Sequence, residues 1–178
     1  GIKVLMSKEF VSTPMVSLAV LKTGSDLGVV ITASHNPPSY NGFKLKSSFG
    51  GPTIPKNIAE VEALIEDEVP ANIREFEFYE SEGLIGYIDM EEMYLKHVEE
   101  NFDLDLIKRS GIRIGYDAMY GAGQRILPRI LPNAELLHCD YNPSFMDRQT
   151  GSIVDHERAA VWKPGRPGHI TLELSSVI

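Results

Sequence analysis

The chain has 178 residues, 43% of them hydrophobic and 24% charged, the balance of a globular protein rather than a disordered one. Its net charge of -8 argues against general binding to nucleic acid or an acidic membrane, which requires a basic face that displaces counterions; an anionic ligand has to meet local positive charge instead. No apolar run reaches membrane-spanning length, Gly1 to Met6 lacks the parts of a secretory signal, and Cys139 is the single cysteine, so a reducing, cytoplasmic setting is predicted.

At about 100 to 200 residues per domain, one complete domain and a remainder are expected. Ile2 to Met6 reads as a strand. Thr13 is predicted to cap a helix over Met15 to Thr23, with Pro14 where its missing N–H does no harm and Gly24 closing the last turn. Leu27 to Thr32 is a short apolar run of the kind that makes a buried strand. Asn41-Gly42 is a turn signal, and Phe43-Lys44-Leu45-Lys46 alternates apolar and basic residues as an outgoing strand does, placing Lys44 and Lys46 on one face; Lys46 is read as a surface residue.

Ile58, Val61, Leu64 and Ile65 recur at helical spacing and predict a surface helix over a sheet. Asp89 with Glu92 resembles a capping box that opens a helix carrying Met93, Tyr94, Val98 and Phe102. A short helix, for which Asp103-Leu104-Asp105 reads as the start, ends at Lys108-Arg109 before Gly111. Ile112 to Tyr116 restarts a strand, Asp117 to Gly123 turns into a helix, and Pro128 is predicted to kink or shorten it. Trp162 to Gly168 is a loop by composition, and Ile170 to Leu174 reads as one final strand. A domain boundary is placed near residues 88 to 111.

A serine just beyond a buried strand, in a loop that prolines keep out of the sheet, lies where open α/β sheets present ligands. By residue type alone, Ser34-His35-Asn36 before Pro37 is also simply a good turn. Phosphorylated, Ser34 bears about two negative charges and needs cationic neighbours, which the adjacent His35 and the returning Lys44 supply. His97, His138, His156 and His169 lack ligand-like spacing and read as satisfied core or surface residues, and Cys139 as core filler.

The string Ile31-Thr32-Ala33-Ser34-His35-Asn36-Pro37-Pro38-Ser39-Tyr40-Asn41-Gly42-Phe43-Lys44 closely resembles the active-site loop of the phosphohexomutase family, the phosphoglucomutases and phosphomannomutases. Val11-Ser12-Thr13-Pro14 and Asp117 to Gly123 resemble two further family segments, so the likeness runs from about residue 1 to about residue 145. It implies an α/β fold: a three-layer α/β/α domain with a mixed sheet, plus the beginning of a second α/β domain. Residues 1–88 are assigned to most of domain I with the phosphoserine loop, 89–145 to a linker helix and the start of domain II, and 146–178 to a tail without family resemblance.

The resemblance further implies reversible phosphoryl transfer between the 1 and 6 positions of a hexose phosphate, through a hexose 1,6-bisphosphate intermediate that reorients. Ser34 is similar to the phosphorylated serine, whose phosphate helps ligate magnesium; His35 to the histidine that contacts the reacting groups; Lys44 to a lysine in acid–base work at the transferred hydroxyl. The remaining magnesium ligands are expected in a part of domain II absent from this sequence, and the sugar-reading loop and the phosphate clamp in a third and a fourth domain that it also lacks. The chain is therefore expected to be a fragment that does not turn over alone, with a hexose phosphate as its partner, no nucleic acid or membrane, and an oligomeric state left open. A non-catalytic phosphate-binding or partner-binding module and a nonfunctional gene remnant stand beside that reading; a frameshift, a truncated gene or an appended tail would explain the residues after Phe145, and would leave Ile170 to Ile178 open to disorder or association.

Overall fold

A computed structural model describes residues 1–32, 40–144 and 146, together with the backbone of residues 169–173. In chain order the first part contains β1 (Val4–Met6), α1 (Thr13–Thr23), β2 (Leu27–Ile31), β3 (Phe43–Ser47), α2 (Pro55–Glu62), α3 (Phe76–Ser81) and β4 (Ile85–Tyr87). The second contains α4 (Met90–Asn101), α5 (Leu104–Arg109), β5 (Arg113–Asp117), α6 (Ile126–Ile130), β6 (Glu135–Leu137) and β7 (His169–Glu173). The loop predicted at 162–168 lies outside the described residues.

The fold is mixed α/β, as expected, and among the described residues its strands are distributed over three small sheets. β1 pairs in parallel with β4, β2 pairs antiparallel with β3, and β5 is flanked in parallel by β6 and β7. The β5–α6–β6 connection is a crossover unit, the usual way of joining parallel neighbours. β7 corresponds closely to the strand predicted over Ile170 to Leu174.

α1 organises the first part. Met15, Val16, Ala19 and Val20 form its buried stripe, and Gly24 in the left-handed conformation (φ 64°) donates its N–H to the Val20 carbonyl and stops the helix. The helix begins at Thr13, with Ser12 rather than Thr13 in the capping position, and Ser12 makes no side-chain capping bond. Its carbonyl instead accepts from the Met15 and Val16 amides. α4 opens with the predicted cap: the Asp89 carboxylate accepts from the Glu92 amide at 2.8 Å. α5 starts in the same way, with Asp103 accepting from the Leu106 amide.

One core joins these elements. Met15, Val16, Ala19 and Val30 pack with Met90 and Leu95 of α4 and Ile126 and Ile130 of α6. Pro128 is the third residue of α6, where a backbone N–H has no intrahelical partner to lose, and α6 is only five residues long.

Two regions depart from the sequence reading. The helix predicted through Leu64 and Ile65 ends at Glu62, so both side chains are exposed and α2 buries none of its residues. The stretch before residue 88, which suggests no element by periodicity, contains α3 and β4. Their signal was the break at Gly83, a left-handed glycine (φ 67°), followed by the apolar run Leu84 to Ile88.

Candidate functional site

The base of the serine loop is built by β2 and β3. Their register pairs Ile31 with Phe43, Val30 with Lys44, Val29 with Leu45 and Gly28 with Lys46. Beyond the last strand pair, the Thr32 amide donates to the Gly42 carbonyl at 2.9 Å, so the chain leaves at Thr32 and returns at Gly42 across one closed rung. Gly42 is required there: a Cβ at that position would stand 2.7 Å from the Thr32 carbonyl oxygen. Thr32 is buried. Ser34 and His35, the two central candidates, lie outside the described residues.

Lys44 is exposed, two residues past the closing rung. Residues opposite one another across two strands share a face, so Lys44 and Lys46 lie with Val30 and Gly28 on the side that α1 covers. The predicted common face of the two lysines is thus present. The surface assignment of Lys46 is not: its exposure is 8%, and α1 presses so closely that a Cβ on Gly28 would meet Val20 at 2.5 Å and the Lys46 Cβ at 3.1 Å. Burial, and secondarily the Lys44 ammonium beside it, pushes Lys46 below the usual lysine range. A groove of about 540 Å³ runs between β3 and α2, with both lysines, Phe43, Leu45, Ile58 and Val61 among its walls.

The opposite face of the β2–β3 ribbon is apolar and open. Leu27, Val29, Ile31 and Phe43 are between 44% and 67% exposed.

A second polar cluster sits at the C-terminal ends of β5 and β6. The buried Asp117 carboxylate accepts through Oδ1 from the Met119 amide and pairs with His138 Nδ1, each at 2.8 Å. Its Oδ2 is buried without a hydrogen-bond partner. Met119, Tyr120 and His138 all have positive φ, at 47°, 60° and 46°, and the Tyr120 amide donates to the His138 carbonyl at 2.9 Å. The pair is thus a clasp over strained backbone. His138 is satisfied, as the sequence suggested, but its partner is 21 residues away and no local pattern announces it.

Cys139 is half-buried and donates weakly to the Leu137 carbonyl; burial raises its thiol above the usual value, which marks a structural residue. Tyr116, only 1% exposed, is pushed up to about 12, chiefly by burial.

The magnesium implied by the resemblance needs several oxygen ligands. Among the described residues no three His, Cys, Asp or Glu side chains gather to hold a metal, so they do not fit such a site. No helix among them is long and apolar enough to cross a membrane.

Comparison with known proteins agrees with this architecture. Two family models match: phosphoglucomutase/phosphomannomutase alpha/beta/alpha domain I over residues 1–71 and alpha/beta/alpha domain II over residues 92–156. The phosphoglucomutase of Staphylococcus haemolyticus is 28% identical over 168 residues, covering 88% of this chain and 30% of its own length. The phosphoglucosamine mutase of Corynebacterium glutamicum is 30% identical over 169 residues, covering 87% and 35% respectively. A solved structure from Thermus thermophilus, assigned as a phosphomannomutase, superposes with a TM-score of 0.70 at 29% identity, over 82% of this chain and 32% of that one. The chain spans about a third of the length of these relatives.

Proposed function

Because this chain belongs to the phosphohexomutase family, we propose that the loop between β2 and β3 is the phosphoryl donor site of a sugar-phosphate mutase. The observation that carries the reading is the closed rung between Thr32 and Gly42 with Lys44 just past it. Covalent geometry alone keeps residue 34 within about 7 Å of Thr32, because two residues extend no further. Lys44 lies equally close to Gly42 along the returning strand, so both ends of the loop meet the ribbon at one edge. No ion pair to Lys44 is formed among the described residues, which keeps its ammonium available for a phosphate.

In this proposal the phosphoryl group on Ser34 Oγ passes to a hydroxyl of a hexose monophosphate. The P–Oγ bond breaks as the new O–P bond forms, and the proton of the attacking hydroxyl passes to the leaving Ser34 Oγ, with Lys44 the residue proposed for that acid–base work. The hexose bisphosphate then reorients and returns its other phosphoryl group to Ser34, whose hydroxyl proton passes in turn to the sugar oxygen released. His35 contacts the reacting groups. Such transfer depends mainly on positioning and on neutralising charge spread over the phosphoryl oxygens. A phosphate on Ser34 would supply one oxygen donor for magnesium, whose other ligands would come from outside the described residues. The relatives act, by their names, on glucose, glucosamine and mannose phosphates, and the sugar preference of this chain is among those three.

Incubation with glucose 1,6-bisphosphate followed by intact-mass measurement tests the reading. The chain should gain one phosphoryl group, Ser34→Ala should gain none, and Lys44→Met should gain it more slowly. Failure of the unaltered chain to take up phosphate counts against a donor site. Saturable binding of inorganic phosphate without covalent uptake would assign the loop to a phosphate-binding module instead.

A further inference from the structure

Arg125 stands at the entrance to α6 and reaches into two other segments. Its Nη2 donates to the Phe10 carbonyl at 2.6 Å, 115 residues away in the chain, and its Nε donates to Glu91 Oε1 in the first turn of α4 at 2.9 Å. Nη1 is 3.6 Å from Glu9 Oε2, and the guanidinium lies 4.1 Å from the centre of the Phe10 ring. The Arg125 side chain is 30% exposed and Glu91 16%, so the interaction is partly withdrawn from water. A planar fork that donates in two directions while stacking on a ring is work for arginine and not for lysine.

We propose that Arg125 is a positioning residue that fixes the start of α1, and through α1 the strand that feeds the serine loop, against the second α/β unit. Phe10 is two residues from Ser12, whose carbonyl starts α1. α1 packs on β2 through Val16, Val20 and Gly28 at a distance that leaves no room for a Cβ, and β2 ends at Ile31, next to Thr32 on the closing rung. Every link from Arg125 to Thr32 is thus a short hydrogen bond, a covalent step or a close-packed contact. One helical turn further on, Arg129 pairs with Glu92 at 2.6 Å, but both side chains are about 40% exposed and the pair touches neither Glu9 nor Phe10. It is the internal control: the same two helices and the same charges without the connection to α1.

The loop's function enters this inference only through the donor-site reading, so the test has two readouts. Backbone hydrogen exchange over Phe10 to Val16 and Val29 to Thr32 should rise about tenfold or more in both Arg125→Ala and Arg125→Lys, and remain unchanged in Arg129→Ala. Arg125→Lys retains a cation between Glu9 and Glu91, so it reports on geometry even where the alanine variant fails to fold. Faster exchange confined to residues 121–130, or an equal effect of Arg129→Ala, would overturn the proposal. In the phosphate-uptake assay, Arg125→Lys should lower the saturating rate between about tenfold and a hundredfold with an unchanged half-saturating concentration of bisphosphate. Raised exchange with an undiminished uptake rate would overturn the link to the loop. If the unaltered chain takes up no phosphate, the donor-site reading fails, and the exchange data still decide whether Arg125 fixes α1.

Discussion

Gly42 and Lys46 lie on the same ribbon and are constrained for opposite reasons. At Gly42 the limit is space. A methyl group there collides with the Thr32 carbonyl, so Gly42→Ala should lower stability by about 1 to 3 kcal/mol, read from the urea midpoint, and open the Thr32 amide to exchange. At Lys46 the limit is charge. Its folded pKa is depressed below the unfolded value, so the unfolded chain binds more protons between the two, and stability rises with pH across that interval. The cost of burying the ammonium is fully present below the folded pKa and is relieved toward the ordinary value of 10.5. Lys46→Met should therefore be at least as stable as the unaltered chain near neutrality, with an advantage that shrinks as pH rises to about 10; urea midpoints across the range check this. Comparing the two chains cancels the opposite, more alkaline effect of Tyr116, whose raised pKa makes stability fall with pH between the ordinary value of 10.0 and about 12. Alternation along β3 made the common face of Lys44 and Lys46 legible in the sequence. It does not say what covers that face, which here depends on the missing Cβ of Gly28 and the approach of α1.

Among the helices and turns, what was legible is what local chemistry decides. Asp89 and Asp103 cap α4 and α5 with 2.8 Å bonds, and Gly24 and Gly111 follow α1 and α5 with left-handed backbones. Asp89→Ala should cost about 1 kcal/mol in the urea midpoint, because α4 contributes Met90 and Leu95 to the core; Asp103→Ala should cost less, because α5 buries no residue. The Glu92 side chain, which a capping box would turn back toward the start of α4, pairs with Arg129 instead. α3 and β4 were not legible, since a six-residue helix without a buried residue leaves no periodic stripe. The turn from Asp117 to Gly123 is legible as a strand-to-helix turn, but its tightness is not. A Cβ on Gly123 collides with the buried Tyr116 hydroxyl, whereas one on Gly115 meets nothing. Gly123→Ala should accordingly lower the thermal midpoint by several degrees and Gly115→Ala leave it nearly unchanged, as differential scanning fluorimetry can determine.

At the scale of the molecule, the family and its α/β architecture were legible because they rest on one long contiguous loop motif. The shared core was not, because its members come from both sides of the assigned boundary. Residues 1–88 as a separate polypeptide lack Met90, Leu95, Ile126 and Ile130, so α1 loses half of the cluster it packs in. That fragment should show no cooperative thermal transition, while the full chain should show one in which both parts melt together; calorimetry distinguishes the two. The open apolar face of the β2–β3 ribbon has its own consequence, for solubility rather than for chemistry. A chain carrying eight net negative charges ought to resist precipitation, but Leu27, Val29, Ile31 and Phe43 give water a continuous greasy strip to withdraw from. Ammonium sulfate, which strengthens that withdrawal while screening the charge, should salt this protein out at a lower concentration than its acidity alone would suggest.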